Sequence, residues 1–211
     1  AEAGKIFLAA VALVVAGPLV YFLLREAPTA KDLAGRDELR PKPATPSSGM
    51  HIPLALLLKR PLLWQLFIIF CLLSFSLYGV LSHLVPMLQD RGMSAGSAAL
   101  VQSTLGTALV ASRVLIGYVM DRVFAPYVAI ACFLLTTLGL AVLAGGAVGP
   151  LAFLAVIFIG ISMGAEIDML AFLTGRYFGV ENFGQVYGIL FASFLLGTST
   201  GPVVYGMAFE A

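Results

Sequence analysis

The chain has 211 residues, of which 60% are hydrophobic and only 11% charged, with a formal net charge of +1. A soluble domain carries about 25% charged residues, so this composition excludes a water-faced globule and describes a polytopic membrane protein. The basic residues are scattered along loops and form no patch, which gives nothing for nucleic acid to bind.

Six apolar runs are long enough for about 20 residues at 1.5 Å rise to cross roughly 30 Å of hydrocarbon. They cover about 6–24, 62–87, 97–120, 126–146, 149–174 and 185–208. The opening residues Ala-Glu-Ala-Gly-Lys lack an initiator Met and a signal-peptide pattern. The expectation is therefore a chain cut from something longer. After the first run comes a long polar stretch, about 25–52, with nine charges of both signs and Pro28, Pro41, Pro43 and Pro46. Such a composition cannot bury a core and predicts a flexible linker, with room for a short amphipathic helix around 30–40.

Pro61, after Lys59-Arg60, suits the first turn of the second run. Pro86 is expected to kink or end that helix. Asp90-Arg91-Gly92 breaks the chain, and Ser94 or Ser97 can cap the third helix. Gly145-Gly146 and Gly149-Pro150 bound a short turn, which predicts an antiparallel hairpin of the fourth and fifth helices. Nine of the twelve Lys and Arg fall on the side of the 25–60 linker, while Lys5 and Arg91 fall on the other. The excess of basic residues predicts a cytoplasmic linker and both ends of this chain outside.

Arg113 is the remaining basic residue and lies inside the third apolar run. A charge at bilayer depth costs about 2.5–3.5 kcal/mol on insertion scales, so it marks a cavity or a buried partner. At 100° per residue, Gln102, Gly106, Arg113 and Gly117 share one small, polar stripe. A guanidinium there can grip a carboxylate through two parallel N–H···O bonds. Alternatively, Arg113 pairs with an acidic residue or carbonyls and fixes helix packing. The fifth helix supplies Glu166 and Asp168, at a depth similar to that of Arg113, roughly 12–15 Å from the cytoplasmic ends by helix rise. Two positions apart, they point about 200° from each other. One acid can neutralise Arg113 while the other loads a proton, or both belong to a static network.

His83 shares a face with Ser76, Gly79 and Pro86 near the outer end of the second helix. It suits an anionic ligand or titration near neutral pH, or a plain hydrogen-bonded place between helices. Tyr78, Ser74 and Ser82 offer hydroxyls on an adjoining face, although such groups often bond to their own backbone. On the sixth run, Gly197 and Gly201 flank Thr-Ser-Thr and precede Pro202, a pattern for close packing or for a hinge. Arg176 and Glu181, at the turn before that run, can pair with Asp121 and Arg122 and close a cytoplasmic gate. Cys71 and Cys132 lie in apolar runs and give neither a disulfide framework nor metal spacing. No HExxH-type or Ser-His-Asp pattern suggests an enzyme, and no cofactor is expected.

Gly117-Tyr-Val-Met-Asp121-Arg122, in this layout, resembles the cytoplasmic gating motif of the major facilitator superfamily. The resemblance covers essentially the whole chain and implies an all-α membrane protein of six transmembrane helices, a partial fold of that superfamily. Residues 1–24 match its helix six, 25–60 its central cytoplasmic loop, and 61–211 a bundle equivalent to helices seven to eleven, with helix twelve absent. Arg113-x-x-x-Gly117 resembles the carboxylate-binding arginine of the monocarboxylate transporters and oxalate:formate antiporters. Leu109 stands where the former place an aspartate, and helix eleven lacks the lysine that the latter use for a second carboxylate.

The resemblance implies a secondary active transporter in the cell membrane that moves small organic anions, monocarboxylates before dicarboxylates, by proton symport or exchange. Arg113, Gln102, Tyr78 and His83 would bind substrate, Glu166 or Asp168 would couple protons, and Gly117, Asp121, Arg122, Arg176 and Glu181 would gate. The expected partners are the solute, a proton or counter-solute, the lipid bilayer and a missing N-terminal six-helix half. Without that half the cavity lacks a wall, and no transport by this chain alone is expected. A proton-coupled exporter of drugs is the alternative, as is a purely structural or receptor role.

Overall fold

A computed structural model describes residues 52–120, 122–123 and 125–210. The expected first span, most of the linker and Asp121 lie outside the described residues. A short helix α1 (Leu54–Leu57) precedes α2 (Pro61–Asp90), α3 (Ala95–Met120), α4 (Ala125–Ala144) and α5 (Pro150–Phe178). A 3-10 turn (Val180–Asn182) leads into α6 (Phe183–Glu210). No strand occurs among the described residues, and α2 to α6 are each long and apolar enough to cross a membrane.

The helix ends follow local chemistry. Ser94 caps α3, its Oγ accepting the Ser97 backbone N–H at 3.2 Å. At the end of α2, Gly92 adopts φ +88°, its N–H donates to the Gln89 carbonyl and the Met93 N–H to the Leu88 carbonyl. The same paired arrangement ends α4 around Gly146, φ +85°. Arg91 ties the two ends together by donating to the Leu143 carbonyl at 2.7 Å, where a helix C-terminus favours a cation. Pro86 does not end α2, which continues to Asp90. Proline removes one backbone bond, and a 30-residue helix in apolar surroundings retains the rest.

Close packing sorts the helices into two parallel pairs. On α6, Gly197 lies against Cys71, Ser74 and Phe75 of α2, Gly201 against Phe75 and Gly79, and Gly206 against His83. On α5, Gly160 lies against Leu105, Ala108 and Leu109 of α3, and Gly164 against Leu109 and Ser112. Contacts that rise together along both chains mean parallel helices. Small residues let the backbones approach, which in lipid replaces the absent hydrophobic drive between helices. The fourth and fifth helices form the expected antiparallel hairpin. Gly139 meets Ala155 and Ile159, and the Ser162 hydroxyl donates to the Cys132 carbonyl at 2.6 Å. α5 is thus clasped by α3 and α4 and is the most buried helix of the bundle.

The stretch just before α2 is docked on the bundle. The Ile52 N–H donates to Asn182 Oδ1 at 2.9 Å, Asn182 Nδ2 donates to the Phe178 carbonyl at 3.1 Å, and Leu57 is fully buried. This end of the linker region is therefore held against the turn between α5 and α6.

Candidate functional site

Helix α3 presents two contrasting sides. Ala98, Val101, Leu105, Ser112, Ile116 and Met120 are buried against the bundle. Beside them runs the stripe of Gln102, Gly106, Arg113 and Gly117, of which Gly106, Arg113 and Gly117 are exposed. A Cβ added at Gly106 or Gly117 would meet open space, so these glycines accommodate no neighbour among the described residues. Arg113 is exposed on the same stripe.

Glu166 is placed oppositely. It is fully buried on α5, and Ser74 of α2 shares a hydrogen bond with its Oε1, while Oε2 has no hydrogen-bond partner. Glu166 therefore engages a hydroxyl rather than neutralising Arg113 by a direct ion pair. The two still lie at one level, because Gly164 of α5 packs against Ser112, next to Arg113, while Ser74, bonded to Glu166, stands one helical turn before Tyr78 on α2. Tyr78 itself is half-buried and sits edge-on to Phe194 of α6, ring centroids 5.7 Å apart.

Asp168 is partly buried. Gly160 and Gly164 fix the register of α5 on α3, and one further turn along both parallel helices brings Asp168 to the level of Arg113 and Ile116. Neither Arg113 nor Asp168 forms an ion pair among the described residues. The structure thus gathers Tyr78, Arg113 and Glu166 from three helices, with Asp168 at the rim.

Two other residues stand apart from this group. Gln102 shares the stripe but lies about 16 Å from Arg113 by helix rise; its Oε1 is buried without a hydrogen-bond partner. His83 Nδ1 lies 3.2 Å from the Gly79 carbonyl, and the ring rests against Gly206 of α6. That is a packed place between α2 and α6, nearer the C-terminal end of α2 than Tyr78.

At the opposite end, Asp121 lies outside the described residues. The Arg122 guanidinium covers the Tyr118 ring at 3.6 Å, and its Nη1 donates to the Tyr118 carbonyl at 3.3 Å. Both contacts are local to the end of α3. Arg176 is exposed in the last turn of α5, and Glu181 is exposed in the 3-10 turn.

Ser74 is the residue that sequence reasoning weighed too lightly. From the ends of α2 and α5 on the same side, Ser74 and Glu166 lie about 20 Å and about 18 Å deep by helix rise. Their matching depth was a usable signal. Asn182 carried no comparable signal, since a single asparagine in a turn reads as ordinary loop chemistry.

No group of three or more His, Cys, Asp or Glu suited to a metal ion occurs among the described residues. The family model described as Major Facilitator Superfamily matches residues 5–202. Neither a curated protein nor a solved structure matches the chain.

Proposed function

Because the chain belongs to the Major Facilitator Superfamily, we propose that it moves small organic anions, monocarboxylates foremost, by proton symport or exchange. The family membership and the five long apolar helices make it a multi-pass membrane transporter of a small solute. In our reading it supplies the C-terminal half of the transporter, in a cell membrane, with the linker in the cytoplasm. The stripe of α3 would face the other half across a central cavity, and the two halves would rock about the bound solute.

The observation that carries this reading is the setting of Arg113, which is exposed about two turns inside the C-terminal end of α3 among open glycines and has no ion pair among the described residues. In hydrocarbon that placement costs about 2.5–3.5 kcal/mol, whereas a watered cavity with an anionic ligand removes the penalty. The guanidinium would hold the carboxylate, with Tyr78 beside it. Glu166 or Asp168 would carry the proton, and Gln102 and His83 would line the path further out. Gly117, Asp121, Arg122, Arg176 and Glu181 would form the latch at the cytoplasmic face.

The test is a thermal-shift panel on the full-length protein in detergent, wild type against Arg113→Gln, with monocarboxylates, dicarboxylates and neutral analogues. Stabilisation by a carboxylate class that disappears in the variant is expected. Equal stabilisation of both proteins by neutral or cationic compounds would overturn the anion site and favour a drug exporter.

A further inference from the structure

Ser74 has one hydroxyl proton and two neighbouring oxygens that both accept. Its Oγ lies 2.8 Å from the Phe70 carbonyl on its own helix, and it also bonds Oε1 of Glu166 across the contact between α2 and α5. A serine donates one hydrogen bond and accepts others. A carbonyl can only accept, and so can a carboxylate. A carboxylic acid can donate as well. If Ser74 donates to Phe70, the proton between Ser74 and Glu166 has to come from Glu166.

We propose that Ser74 is a positioning residue for Glu166, a two-state switch whose hydroxyl turns with the protonation of that side chain. In the loaded state the chain of donors runs from the Glu166 carboxyl O–H to Ser74 Oγ, and from the Ser74 O–H to the Phe70 carbonyl. Oε2 is then the carbonyl oxygen, which matches its lack of a hydrogen-bond partner. On release, the proton passes from Glu166 to a water molecule that enters between α2 and α5. The Ser74 hydroxyl then rotates away from Phe70 and donates to the carboxylate. No covalent bond other than O–H is broken or made.

This exchange reaches the backbone of α2. A serine bonded to the carbonyl four residues back perturbs its helix, and releasing that bond relaxes it. Ser74 is also the residue against which Gly197 of α6 is packed, together with Cys71 and Phe75. A proton gained or lost at Glu166 is thereby felt at the contact between α2 and α6. Titratable and charged groups on the surrounding helices include Cys71, Tyr78, His83 and Asp90 of α2, Arg113 and Tyr118 of α3, Cys132 and Tyr127 of α4 and Tyr187 and Tyr205 of α6, with Asp168, Arg176 and Tyr177 on α5 itself.

The inference rests on Glu166 carrying the transported proton, and one experiment separates the two. Infrared difference spectra of the full-length protein in lipid, recorded across a pH titration, report the carboxyl C=O stretch. The expected result is a band lost in Glu166→Gln, moved to higher frequency in Ser74→Ala, and restored in Ser74→Thr, which keeps the hydroxyl. A band that Glu166→Gln removes but Ser74→Ala leaves in place would overturn the switch and leave the proton site standing. A carboxyl spectrum unchanged by Glu166→Gln would overturn both.

Discussion

The backbone carbonyl of Leu105 lies 2.7 Å from the point where Gly160 would carry a Cβ, and the Ala108 methyl lies 2.8 Å from it. Helices α3 and α5 are therefore in backbone contact one to two turns before Arg113 and Glu166 in their helices. Gly164 repeats the contact one turn further along both helices, against Leu109 and Ser112. These two glycines set how far the arginine stands from the acids.

Gly160→Ala should destabilise the protein by about 1–3 kcal/mol, because the added methyl meets backbone that cannot move aside. Gly117→Ala, which enters open space, should stay within about 0.5 kcal/mol. Thermal unfolding in the same detergent compares them. Equal effects would mean that α3 and α5 are not in register as described.

Arg113→Lys keeps the charge but loses the planar fork that meets a carboxylate with two bonds. Carboxylate binding should weaken by about 1.5–3 kcal/mol, roughly 10- to 150-fold in Kd. Titration calorimetry on the purified full-length protein measures it. An unchanged Kd would mean that the guanidinium serves helix packing and not the ligand.

Glu166→Gln preserves size and can still bond Ser74, but it cannot carry a transported proton. Uptake driven by a pH gradient should collapse in proteoliposomes, while exchange of labelled for unlabelled solute persists. If gradient-driven uptake survives, Glu166 is not the coupling site, and Asp168→Asn becomes the next variant to examine.

Asn182→Ala removes the acceptor for the Ile52 N–H and the donor to the Phe178 carbonyl. Leaving the part-buried Ile52 N–H and the buried Phe178 carbonyl without these partners costs about 1–3 kcal/mol. The segment before Pro61 should come loose, with faster tryptic proteolysis after Lys59 and little change in the bundle. Cleavage at the wild-type rate would mean that Leu57, not Asn182, holds the segment.

Most of the architecture was legible in the residues. The five described spans fall within a few positions of the apolar runs, because a hydrocarbon slab imposes length and apolarity on every helix that crosses it. Ser94 and the glycines at 92, 146 and 149 marked the helix ends, since capping and positive φ are local matters. Arg113 declared itself for the same reason, as a charge out of place in an apolar run.

Which residues meet was decided by the tertiary structure. Helical projection gave faces but no partners, so Glu166 was weighed against Arg113 while its hydrogen bond runs to Ser74 on another helix. Gln102 and Arg113 share a face yet lie three turns apart, and His83 is seated on Gly206. Periodicity fixes direction around one helix axis, whereas depth and rotation against a neighbour come from where small residues let two backbones touch. Here the glycines of α5 and α6 set those contacts, and only the assembled bundle could specify which backbone each would meet.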